Sequence, residues 1–240
     1  MYVPFVKLLA VFVLTLMPSA ALSDPARAPH PLSGWEQDDW PAIGRVTRGA
    51  ADTESVCSGT LVTPEFVLTA AHCVAANKTG QTMLPENVHF TAGWLNGEPA
   101  FHSRAAEVYL MVFGPFTKAS AQDIALIQLA TPVPAEVAKP LRIIPLSDVK
   151  SPFRIIGFSR NKPTVLSGHP YCNLTLERDG IIGTDCRVVS GNSGAPVLAF
   201  VDGEWRVVAV VNASAGNEAP LRSIAAVPSG TIAEEISKTQ

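Results

Sequence analysis

From Trp40 onward the chain is a succession of short apolar runs separated by turn residues. "SGTLV" is followed by the turn "TPE" and then by "FVLTAA". "NVHFTAGW", "AAEVYLMVF", "DIALIQLA", "FRIIGF" and "NLTLE" follow, each the length of a strand. "APVLAF" and "EWRVVAVVNAS" flank Asp202-Gly203, a hairpin turn signal, and "SIAAVP" is the last run. Many short strands with turns between them predict an all-β barrel or sandwich. A terminal helix is expected from about Ser229 to Lys238. The Pro- and Ala-rich stretch from Asp24 to Asp39 predicts a flexible N-terminal arm, and residues 40–240 the folded domain.

The first residues follow a different pattern. A single lysine, Lys7, precedes an apolar run from Leu8 to Met17, and small residues follow it. That order predicts a secretory signal over residues 1–23, cut after Ala21 or Ser23. The run is short for a bilayer span, and a retained membrane anchor is the competing reading. A secreted or periplasmic protein is therefore expected, with no membrane attachment after cleavage. Export alters the reading of the four cysteines, Cys57, Cys73, Cys172 and Cys186. An even number outside the cytoplasm predicts disulfides. Three pairings are possible, and the local one joins Cys57 to Cys73 and Cys172 to Cys186. No C-x-x-C pair or histidine cluster supports zinc, so no metal is expected. The net charge of −3, with basic residues scattered, gives no nucleic-acid footprint.

The stretch "SGNSGAP", Ser190 to Pro196, sets a serine between two glycines. By itself it reads as a turn. It is also the setting a nucleophile needs, because bare N–H groups on a permissive backbone can face a developing oxyanion. A serine hydroxyl requires a base and a group that orients that base. All five histidines precede Ser193, and position 195 is alanine. The histidine order excludes the α/β-hydrolase arrangement, and Ala195 leaves the G-x-S-x-G elbow incomplete. His72, in "VLTAAHC", is the best base candidate. His89 alternates with apolar residues like a strand-surface group, His102 and His169 read as loop residues, and His30 lies in the arm. Asp123, at the head of "DIALIQLA", is suited to orienting His72. Asp179, Asp185 and Asp202 are rivals by composition, and two of them precede glycine.

"TAAHC", "DIALIQL" and "GNSGAP", in that order, resemble the three catalytic blocks of the chymotrypsin/trypsin-like serine proteases. The likeness extends over "CSGTLVTPEFVLTAAHC", including its cysteine pair. It implies two six-stranded antiparallel β-barrels with the active site in the cleft between them. It also implies a triad of His72, Asp123 and Ser193, with the amides of Gly191 and Ser193 as the oxyanion hole. Within the family, "TDCRVVSGNSGAPV" is similar to the bacterial trypsin-like and glutamyl-endopeptidase branches, where the second cysteine pair resembles a local bridge. The implied activity is a serine endopeptidase acting on protein or peptide substrates without a cofactor. A catalytically silent binding module and an esterase on the same triad are the rival classes.

Two departures matter. The digestive and clotting members carry, just before the serine, an aspartate that pairs with a new N-terminal amine. Here that residue is Asn192, so no trypsinogen-style activation is expected. Around the substrate pocket the resemblance selects Arg187, Asn212 and Ser214. Arg187 stands where trypsin-type enzymes have an aspartate, and its charge predicts no preference for Arg or Lys side chains. Oligomeric state is not encoded in these patterns.

Overall fold

The computed structural model describes residues 28–49, 56–76, 81–95, 98–111, 120–216 and 220–230, together with 232 and 236. The predicted signal segment lies outside the described residues. The chain is all-β in character. Its elements are β1 (His30–Pro31), α1 (Gly34–Gln37), β2 (Ile43–Arg48), β3 (Cys57–Leu61), β4 (Phe66–Thr69), α2 (Ala71–Val74), β5 (Val88–Leu95), β6 (Glu98–Leu110) and β7 (Ala125–Leu129). β8 (Phe153–Ser159), β9 (Lys162–Cys172), β10 (Leu174–Arg178), β11 (Ile181–Thr184), β12 (Pro196–Val201), β13 (Glu204–Ser214) and β14 (Ser223–Ala226) complete it. Within the expected terminal helix, the described residues Gly230, Ile232 and Ile236 are helical.

The first six-stranded barrel is present. Strands β2-β3-β4-β7-β6-β5 close on themselves, all antiparallel. Its interior is the set of apolar residues that the strand pattern points inward: Val46, Leu61, Val67, Phe90, Ala105 and Ile127 pack together and are buried. Closure leaves no edge strand in the ring.

The second six-stranded barrel is present in part. Its strands form an eight-stranded sheet in the order β1-β9-β8-β12-β13-β14-β11-β10, not a closed ring of hydrogen bonds. β9 and β10 are consecutive in sequence yet lie at or near opposite edges, and only Asn173 separates them. The chain itself bridges the gap that a closing ladder would fill. Cys172, at the end of β9, is tied to Cys186 just beyond β11.

The expected flexible arm also differs, from Ala28 on. β1 pairs with β9, His30 opposite Gly168 and Pro31 opposite Ser167. The buried side chain of Gln37 accepts a hydrogen bond from the Leu166 amide at 3.0 Å. A short segment with a sheet edge to join and a buried polar contact is docked, whatever its proline content.

Barrel and sheet share one apolar cluster. Ile43, Leu68, Trp94 and Ile124 from the barrel side pack with Ile156, Phe158, Leu166 and Leu198 from the sheet side. Burying some 150 to 250 Å² for each large aromatic makes such a seam strong. It holds the ends of β4, β7 and β8 in a fixed relation, and the chemistry described next sits at those ends.

Candidate active site

β4 ends at Thr69 and the chain turns at once into α2, a single helical turn that carries His72. Ala70 and Ala71 are fully buried, which seats the turn against the barrel. Arg48, at the end of β2, donates to the His72 carbonyl at 2.9 Å. The Cys57–Cys73 disulfide fixes the next residue to the start of β3. The His72 side chain is 12% exposed.

Asp123 precedes β7 and is completely buried. Both of its carboxylate oxygens face His72. Oδ1 accepts the His72 main-chain N–H at 2.9 Å, and Oδ2 lies 2.8 Å from Nδ1. A carboxylate only accepts, so Nδ1 carries a proton, and in the neutral ring Nε2 is then the acceptor nitrogen. Asn212, on β13, supports this arrangement from the sheet. Its Nδ2 donates to the Ser120 carbonyl at 2.8 Å, and that carbonyl also accepts from the Asp123 amide at 3.1 Å.

Ser193 lies on the turn between β11 and β12 and is half-buried. Its carbonyl accepts from the Ser58 amide at 2.7 Å and lies 3.8 Å from the Cys73 sulfur. That sulfur is in a disulfide and has no proton, so the contact is van der Waals. It places the Ser193 backbone beside the neighbour of His72. Gly191 has φ +106°, and a Cβ there would lie 2.6 Å from the Arg160 amide nitrogen. Only glycine satisfies both conditions.

The amides of this turn divide into two groups. Those of Asn192, Gly194 and Ala195 donate to Val189, Val211 and Asn192 carbonyls at 3.0, 2.7 and 2.9 Å. Those of Gly191 and Ser193 have no acceptor among the described residues. Their directions follow from the carbonyl of each peptide unit, because N–H and C=O point oppositely in a trans peptide. The Ser190 carbonyl is held by the Arg160 amide at 2.8 Å, and the Asn192 carbonyl by Ala195. The two N–H groups thereby point away from the Arg160 and Ala195 amides that hold those carbonyls.

The remaining candidates fall elsewhere. His89 is on β5 and stacks on His102 of β6, with Nδ1 and Nε2 3.0 Å apart. His102 and His169 belong to strands and not to loops. His169 is buried on β9 and contacts the Arg187 carbonyl at 2.8 Å through Nε2. His30 is in β1. The Arg187 side chain is half-buried, Ser214 is exposed at the end of β13, and Asn212 is 1% exposed with its Nδ2 engaged as above. Cys57, His72 and Cys73 group their donor atoms within 4.8 Å, but both sulfurs are in a disulfide and offer no thiolate. Arg48 and Ser58 carry no motif signal, since one acts through a main-chain carbonyl and the other through side-chain contacts a hundred or more residues away.

Both disulfides pair as the local reading has them, and neither cysteine pair is free. Among the described residues no helix is long and apolar enough to cross a membrane. Both features are compatible with an exported protein. A family model for the trypsin-like peptidase domain matches residues 57–210, more than half of the chain. That span includes His72, Asp123 and Ser193, and the chain belongs to the trypsin-like peptidase family.

Proposed function

We propose that the protein is an exported serine endopeptidase that cleaves peptide bonds through an acyl-enzyme, with His72, Asp123 and Ser193 as its triad. The observation that carries this reading is the pair of hydrogen bonds that His72 donates to the two carboxylate oxygens of Asp123. It fixes the ring's orientation and its tautomer together, which is what a general base for a serine hydroxyl requires.

The Ser193 hydroxyl attacks the substrate carbonyl carbon, and its proton passes to His72 Nε2. The carbonyl π electrons move to oxygen, and the free amides of Gly191 and Ser193 receive that charge. The tetrahedral species collapses with loss of the amine, which takes the proton from Nε2. Water then repeats the sequence on the ester and releases the acid. Asp123 remains ionised and stabilises the imidazolium throughout.

The test combines two measurements on folded mature protein. A fluorophosphonate probe is expected to label Ser193, and a peptide library is expected to be cleaved. Ser193→Ala is expected to lose both while its thermal unfolding stays cooperative. Labelling with ester hydrolysis but no peptide cleavage points to the esterase reading. Absence of labelling points to a binding module, and activity retained by Ser193→Ala overturns the mechanism.

A further inference from the structure

The closing strands of the first barrel contribute one more group to this site. Ser58, on β3, is fully buried, and its hydroxyl is used twice. It donates to the Gly191 carbonyl at 2.9 Å and accepts from the Phe158 amide at 2.8 Å. Its own amide donates to the Ser193 carbonyl at 2.7 Å, and its carbonyl accepts from Thr69 Oγ1 at 2.7 Å. Gly157 makes room for this side chain, since a Cβ there would stand 2.6 Å from Ser58 Oγ. Asn192 completes the lock from the other side. Its Nδ2 donates to the Phe158 carbonyl at 3.0 Å, and its Oδ1 accepts from the Val189 amide at 2.9 Å. Both main-chain groups of Phe158 are thus held, one by Ser58 and one by Asn192.

We propose that Ser58 and Asn192 are positioning residues that hold the oxyanion turn in its working conformation through uncharged hydrogen bonds alone. Ser58 fixes the Gly191 carbonyl inward, so the peptide unit between the two free amides cannot rotate. Asn192 fixes the same turn to the end of β8. The partners of the Ser58 and Asn192 side chains are all neutral main-chain groups. The turn is therefore formed as soon as barrel and sheet dock. This inference rests on the oxyanion role proposed above for Gly191 and Ser193.

Removing the Ser58 hydroxyl leaves a buried carbonyl and a buried N–H without partners. Loss of a whole oxyanion donor costs about 10² to 10³ in rate, which bounds the effect of misaligning one. Ser58→Ala is expected to lower kcat about tenfold to a hundredfold with KM changed less than about threefold. Affinity for a peptidyl trifluoromethyl ketone, which forms an oxyanion at the site, falls by the same factor. Affinity for a product-like peptide acid does not. A merely structural role lowers the unfolding temperature without that split. Asn192→Asp tests the lock with Ser58 intact. A neutral carboxyl can still donate to the Phe158 carbonyl, whereas a carboxylate cannot. The variant's kcat is expected to fall with rising pH through an ionisation that the parent protein lacks.

A Ser58→Ala protein with kcat within twofold of the parent, or an Asn192→Asp profile parallel to it, overturns the inference. If the parent protein neither cleaves peptides nor reacts with the fluorophosphonate, the oxyanion reading itself has failed, not the lock alone.

Discussion

Exchanging Asp123 for asparagine tests the proposed triad most directly. His72 turns two donors toward this side chain, its main-chain N–H at 2.9 Å and its ring Nδ1–H at 2.8 Å. Aspartate has an acceptor oxygen for each, and asparagine has one. The main-chain N–H cannot change its role, so the amide oxygen goes to it. The amide NH2 group then faces Nδ1. The ring must adopt the tautomer protonated at Nε2, which cannot take the Ser193 proton, or leave two buried donors opposed. The site is fully buried at Asp123, so water cannot relieve the conflict. Loss of a hydrogen bond to a charged group is worth about 1.5–3 kcal/mol, and a buried unsatisfied donor about 1–3 kcal/mol more. Together they raise the barrier by about 2.5–6 kcal/mol, or about two to four powers of ten in rate. The template Ser-His-Asp protease loses about 10⁴ in kcat in this exchange, a borrowed magnitude at the upper end of that range. The assay is kcat/KM on a chromogenic peptide at fixed pH, beside a thermal melt of both proteins. A loss smaller than tenfold in a variant that melts like the parent would refute Asp123 as the orienting group.

Three further outcomes are expected. Replacing Cys57 and Cys73 together by alanine opens a loop of sequence separation 16 that spans β3, β4 and part of α2. Chain-entropy arguments give about 3 kcal/mol for a loop of that length, measurable by urea unfolding; a change below about 1 kcal/mol contradicts that account. Arg187 predicts that peptides with Arg or Lys at the cleaved position are poor substrates, and efficient cleavage of them in the library refutes it. Stability should also decline in mild acid through His89. Burial holds its imidazole below the ordinary 6.5, the nearby His102 ring and Arg104 lower it further, and the Glu86 carbonyl opposes them. The unfolded chain then binds the proton first, so stability present above about 6.5 is lost as pH falls through that value toward the folded-state one. His89→Gln should flatten the decline in urea midpoint between about pH 7 and pH 5, and an unchanged slope removes His89 as its source.

Most strands were legible because their apolar runs are continuous or alternating and end in turn residues. β3, β4, β7, β12 and β13 are of this kind, and Asp202 and Gly203 both adopt positive φ at the hairpin, as their pairing suggests. β9 was not legible. It contains Pro163, Gly168 and Pro170, which argue against a strand. The structure places both prolines where its register with β8 shifts, so neither interrupts a regular ladder. β11 is only four residues long and carries no pattern of its own. The closed second barrel was expected from resemblance, and its interruption at Asn173 has no sequence signal. For the site, the motif order carried His72, Asp123 and Ser193. The groups that hold them, Arg48, Ser58, Arg160 and the Ser120 carbonyl, act mostly through backbone contacts between distant segments. Such contacts depend on how barrel and sheet dock, and local composition does not encode them.

The two-residue strand β1 has a consequence for how the protein behaves in company. β9 would otherwise present the open margin of the second sheet, and an uncovered margin recruits strands from other molecules. His30 and Pro31 occupy part of it, at Gly168 and Ser167. The new margin they create is two residues long, and at Pro31 it offers no N–H to a newcomer. Trimming the chain back past Leu32, by truncation or by a protease, would re-expose the β9 backbone at Ser167 and Gly168 and lose the Leu32 hydrogen bond to Leu166. Self-association of the trimmed protein, more than any loss of turnover, is the cost that this short strand averts.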